Sequence, residues 1–162
     1  MPEIRSAGIS VQAPAGCEAR IRTRPVEPPP PGAVAAAAAD EVHRPVVHVS
    51  TTTLFEDRGD FGSGVVEAMG TGDVLVTLVE LDPAQAGTAL VAVDGLPRSV
   101  AVGAYSPDAM QRTVHGQSGT QVFFGVHGRA FCLYVVLGSH ARRHELAPVV
   151  DRILAGITIA PG

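Results

Sequence analysis

Apolar and polar positions alternate along Ile9-Ser10-Val11-Gln12-Ala13 and again along Cys17-Glu18-Ala19-Arg20-Ile21-Arg22. A period of two marks strands with one face on a core. Pro14-Ala15-Gly16 lies between them as a turn signal, so the pattern predicts a β-hairpin with arginines on its polar face. Pro45 opens a further strand, Val46 to Val49, which runs on towards Leu54 through three threonines. The polar stretch Glu56-Asp57-Arg58-Gly59-Asp60 reads as a solvated loop. Phe61-Gly62-Ser63-Gly64 leads into a short helical turn over 65–69, and Gly70-Thr71-Gly72-Asp73 forms the next turn. From Val74 to Leu81 the chain is almost continuously apolar, which predicts a central strand covered on both faces.

The last third carries the clearest pattern. Gln121–Val126 and Arg129–Leu137 read as strands joined by His127-Gly128, a two-residue hairpin turn. Leu146, Val149, Val150, Ile153, Leu154 and Ile157 then recur at steps of three and four, the stripe of an amphipathic helix. Pro148 cannot donate to the carbonyl of His144, so a helix begun at Ser139 would kink there, and a start near Arg143 is preferred. Gly156 stops the helix, and Ile157-Thr158-Ile159 makes a closing strand. Residues 84–119 carry little pattern beyond a weak strand at Val100–Tyr105. The expected fold is α+β: a largely antiparallel central sheet with the C-terminal helix on one face.

Composition changes this picture in one place. Pro28 to Pro31, Gly32 and the alanines up to Ala39 interrupt the strand pattern, because consecutive prolines cannot occupy a central strand. The segment 25–44 is therefore read as a flexible Pro/Ala-rich insertion within a single domain spanning 1–162. Its prolines contain PxxP, a pattern that four consecutive prolines can hardly avoid.

Charge and residue usage mostly exclude. The chain has no lysine, asparagine or tryptophan, which points to a GC-rich genome and removes P-loop, Schiff-base and Ser–Lys chemistry. A net charge of −4, with both signs interspersed, argues against nucleic-acid binding. The N-terminal residues show no secretory pattern and no apolar run reaches membrane-spanning length, so a cytoplasmic protein without membrane contact is expected. Cys17 and Cys132 are then expected to be reduced thiols, with Cys132 buried in its strand.

The chemistry-bearing residues are few. His140 and His144 stand four apart, the spacing that aligns two imidazoles on a helix, and Glu145 follows them; these are the candidate metal ligands. The glutamate does not follow the first histidine as a zinc-protease helix requires, and a polar helix start beside Arg142 and Arg143 is the preferred reading. Gly116-Gln117-Ser118-Gly119-Thr120 is one residue short of a nucleophile elbow and precedes a strand, not a helix; His115 beside it could act as a base, but no orienting acid can be placed nearby. Gly62-Ser63-Gly64 lacks the rest of any nucleotide-binding motif and is assigned a conformational role. Glu56, Asp57 and Asp60 do not match an EF-hand. His48, inside an apolar strand, reads as a hydrogen-bonded sheet residue.

Asp60-Phe61-Gly62-Ser63-Gly64, Gly72-Asp73-Val74-Leu75-Val76 and the run Arg129 to His140 resemble segments of small proteins from high-GC actinobacteria. The similarity spans about 8–24 and 45–159, and its segments are structural in character. The succession of hairpin, central sheet and strand–strand–helix–strand unit is more distantly similar to the PsbP-like fold. That resemblance implies a non-catalytic scaffold that binds a protein partner. The family usually carries an aromatic near the first hairpin, where this chain has Gly16-Cys17. The functional expectation is a soluble, non-catalytic binding module for a protein partner, with no cofactor. The alternative is a small enzyme or metal-binding protein using His140 and His144, with His115 or Glu145 as a further participant.

Overall fold

Two short turns of the same kind set up two hairpins among the described residues. The computed structural model describes residues 3–24 and 44–161, so the insertion expected at 25–44 lies, apart from Arg44, outside the described residues. Strand β1 (Glu3–Ser6) turns through Ala7 and Gly8, at φ +51° and +77°, into β2 (Ile9–Gln12). Late in the chain β7 (Ser118–Val126) turns through His127 and Gly128, at φ +52° and +75°, into β8 (Arg129–Leu137). Positive φ at both central residues gives a turn whose twist matches the paired strands. The hairpin expected at His127-Gly128 is therefore present.

The first hairpin differs from expectation. The strand β3 (Glu18–Arg24) follows β2, and Cys17 N–H does donate to Pro14 O at 3.1 Å, yet the two strands do not pair. β2 lies between β1 and β9 (Ile157–Ile159), whereas β3 pairs with β4 (Arg44–Ser50). Alternation marked both strands correctly, but local sequence does not encode that the chain's end returns to claim the edge of β2.

The six-stranded sheet runs β3-β4-β5-β8-β7-β6, with β5 at Val74–Glu80 and β6 at Val93–Asp94. The three-stranded sheet runs β1-β2-β9. All pairings are antiparallel except the short β6–β7 contact. The fold is thus α+β and mostly antiparallel. β5 and β8 sit at the centre and are buried along nearly their whole length, which is why their sequences are apolar without alternation. The strand expected at Val100–Tyr105 is instead a single 3₁₀ turn over Val102–Ala104.

Each face of the large sheet has its own cover. One face, bearing Val47, Val49, Val76, Leu78, Leu133 and Val135, packs on the small sheet and on helix α2 (Arg143–Ala155). α2 buries Leu146, Ala147, Val150, Ile153 and Leu154, worth on the order of 10 kcal/mol before entropy costs. It starts at Arg143 as expected, but Pro148 stands in its second turn, so the carbonyl of His144 still lacks a helical donor. Both residues are exposed, which leaves that carbonyl to water. The opposite face, bearing Leu75, Tyr134 and Val136, packs on Leu54, Val65, Val66 and Met69. These belong to the segment that crosses the sheet between β4 and β5 and contains the short helix α1 (Val65–Ala68).

Candidate functional site: a hollow over Tyr134 and the network behind it

Strand alternation puts His48, in the middle of β4, on the face crossed by that covering segment, between Arg20 on β3 and Thr77 on β5. The imidazole is fully buried. Arg58 Nε donates to Nδ1 at 2.8 Å, and Nε2 lies 2.8 Å from the Asp60 carbonyl oxygen. A guanidinium can only donate, so Nδ1 accepts and the proton resides on Nε2, which donates to Asp60. Burial pulls the pKa of His48 down to about 4; the bond to Asp60 opposes this, and the charges of Arg58 and Arg22 reinforce it. His48 is neutral at pH 7.

Arg58 is itself buried, at 7 % exposure. A second guanidinium nitrogen donates to the Phe55 carbonyl at 2.7 Å, closing the turn from Phe55 to Arg58. Burial, then the guanidiniums of Arg22 and Arg20, press its pKa down, with Glu56 opposing. Arg22 pairs with Asp60 at 2.7 Å. The stretch expected to be a solvated loop is thus half interior: Glu56 and Asp57 are exposed, while Arg58 is buried against the sheet and Asp60 is half-buried in an ion pair. The reason lies on β4, since a buried imidazole requires a partner and the covering segment supplies one.

Beside this network is a hollow of about 200 Å³. Tyr134 and Phe61 form its aromatic part, their rings edge to face with centroids 5.8 Å apart. Gly59, Asp60, Ser63, Val66, Glu67, Gln111 and Arg112 complete its lining. The Tyr134 hydroxyl accepts the Gln111 backbone N–H at 2.7 Å. Burial pushes the pKa of Tyr134 up, so the phenol is neutral. Glu67 accepts the backbone N–H of Gly64 at the start of α1. Gly62 and Gly64 adopt φ +86° and +93°, consistent with a conformational role for the Gly62-Ser63-Gly64 stretch. A broader depression of about 620 Å³ lies over the β1–β2 turn and β9, but it is open and rimmed by Glu3, Arg5, Ser10 and Thr158.

The other residues marked in the sequence lie elsewhere. His140 is half-buried ahead of α2, its backbone N–H donating to Gly116 O at 2.7 Å. His144 is exposed in the first turn of α2, and Glu145 pairs with Arg142 at 2.8 Å. No group of three or more His, Cys, Asp or Glu among the described residues is arranged to hold a metal ion. Ser118 is fully buried as the first residue of β7, inside a strand and away from any elbow, and His115 is exposed. Cys17 and Cys132 are free, and burial raises the pKa of both thiols. No helix among the described residues is long and apolar enough to cross a membrane.

Tyr134, Gln111, Arg112 and Arg58 were invisible as site residues. Tyr134 reads as one more apolar position of β8, and Gln111 and Arg112 fall in the stretch without periodicity. The one available signal was the pair of polar residues, His48 and Thr77, inside otherwise apolar strands. Compared with protein-family models, with curated proteins and with solved structures, the chain matches none.

Proposed function

We propose that this chain is a non-catalytic module that binds a protein partner, and that the hollow over Tyr134 receives one side chain of that partner. The observation that carries the reading is the hollow's size and lining together. At about 200 Å³ it is smaller than the roughly 300–1,000 Å³ of small-molecule sites, and it offers an aromatic floor with a polar rim, the make-up of an interface anchor pocket. The groups around it that could move protons already hold structural bonds: Asp60 to Arg22, Glu67 to Gly64, and the Tyr134 hydroxyl to Gln111. The PsbP-like resemblance of the sequence implies the same kind of role.

The test is a quantitative pull-down from a lysate of the source organism, run beside a tag-only control and the variant Arg112→Trp. Arg112 is exposed on the rim, so the indole fills the hollow while the core is untouched. One partner recovered near stoichiometry by the wild type and lost by the folded variant is the expected result. Equal recovery by both, or no recovery by the wild type, would overturn the assignment.

A further inference from the structure

The covering segment is fastened to the sheet through a bond that only a neutral imidazole can accept. Arg58 Nε donates to His48 Nδ1, and the same guanidinium holds the Phe55 carbonyl. His48 Nε2 holds the Asp60 carbonyl. Between and just beyond these anchors, Gly59 N–H donates to Ser63 O and Gly62 N–H to Gly59 O, so the turn from Gly59 to Ser63 depends on where Arg58 and Asp60 sit.

Protonation from solvent would place a hydrogen on Nδ1, facing a guanidinium N–H across 2.8 Å. The bond is then donor against donor, and two cations share a buried space. The other groups facing the ring do not relieve this. β3 contributes Arg20, opposite His48 in register, and Arg22, two residues further along and opposite Val46. β5 contributes Thr77, which cannot take up charge. The covering segment contributes Asp60, whose carboxylate is engaged by Arg22, and Glu56, exposed and nearer to Arg58.

We propose that His48 is an acid-labile latch: protonation of its imidazole expels Arg58 and releases the segment from Phe55 to Ser63 from the sheet while the sheet itself stays folded. That segment includes Asp60, Phe61 and Ser63, which line the hollow over Tyr134, so release dismantles the hollow. The inference rests on the network alone and stands whether or not a partner occupies the hollow.

Hydrogen–deuterium exchange on the full chain from pH 7.5 to 3.5, corrected for intrinsic rates, tests it together with His48→Gln. Glutamine keeps an N–H for Asp60 and an acceptor for Arg58 but does not titrate. With His48 at about 4 when latched and near 6.5 when released, opening should increase about tenfold per pH unit between those values. The expected result is that slope at the amides of Gly59 and Gly62 in the wild type, unchanged protection in β5 and β8, and no slope in His48→Gln. The same slope in His48→Gln would assign the effect to carboxylates and overturn the latch. Loss of protection only together with β5 and β8 would also overturn it. Should His48→Gln not fold, the ¹⁵N shifts of the wild-type imidazole decide. Titration of His48 coincident with local opening supports the latch, and opening without it refutes it.

Discussion

Arg129 and Glu80 form a two-pronged ion pair, Nε to one carboxylate oxygen at 2.9 Å and a terminal nitrogen to the other at 2.8 Å. The pair joins the start of β8 to the end of β5. The same guanidinium donates to Ala7 O at 2.9 Å and Ala160 O at 3.1 Å, which ties the large sheet to both the first hairpin and the chain's end. It also lies 5.1 Å from the centre of the Phe131 ring. Both side chains are largely shielded, at 10 % and 15 % exposure.

A shielded charge left without its partner is more damaging than the intact pair is stabilising. Arg129→Ala should therefore lower stability by about 3 kcal/mol in urea unfolding, and Glu80→Ala by a similar amount. The double variant should lose clearly less than the sum, because both single variants remove the same two-pronged contact. Additive losses would mean that the clamp is not a coupled unit.

Gly138 sits where the end of β8 crosses the turn before β5. A Cβ built there would lie 1.8 Å from Gly70 O, and that turn cannot retreat freely, because Gly138 N–H donates to Asp73 O and Gly70 N–H to the Asp73 carboxylate. Gly138→Ala should cost about 2–4 kcal/mol by thermal or urea unfolding. Gly103→Ala, where a Cβ would meet nothing within 4 Å, should change stability by no more than about 0.5 kcal/mol. Equal behaviour of the two would refute this packing.

Ile153 is fully buried on α2 against the helix face of the large sheet. Ile153→Ala should cost about 2–5 kcal/mol through the cavity it leaves, and Ile153→Asp should abolish the cooperative transition. A melting temperature of Ile153→Asp close to wild type would mean that α2 does not pack as described.

The parts legible in the sequence are those whose pattern is local. The β7–β8–α2–β9 unit was readable because its strands are contiguous, its turn carries Gly128 at a positive φ, and its helix repeats Leu146, Val150, Ile153 and Leu154 on one face. The pairing of β2 with β9 was not, since Ile9 and Ile159 are joined by chain return across nearly the whole sequence. The site was least legible. Its parts come from a loop at 59–67, a strand residue at 134 and an irregular stretch at 111–112, and nothing but tertiary structure brings them together. Gly156 shows the same division: its place at the helix end was readable, but its close approach to Gln12 O, 2.1 Å from a notional Cβ, was not.

The two thiols should differ in reactivity. Cys132 is 1 % exposed in the central strand β8 and accepts a contact from Gln121 at 3.3 Å, whereas Cys17 is half-buried beside the turn into β3. Titration with a thiol reagent at pH 8 should modify Cys17 within minutes and Cys132 only on unfolding. Two equally fast thiols would indicate that β8 opens readily.

Global stability should also depend on pH through His48. Its folded pKa, about 4, lies below the ordinary value of 6.5, so between these values the unfolded chain binds more protons than the native one. Stability from the neutral imidazole is then complete above about pH 6.5 and is lost as pH falls through 4. The span corresponds to roughly 3 kcal/mol, at about 1.4 kcal/mol per pH unit. His48→Gln isolates this contribution: urea unfolding of the variant should lack the slope between about pH 4.5 and 6.5. A wild-type stability flat from pH 6.5 to 4.5 would show that the imidazole is not held neutral in the native state.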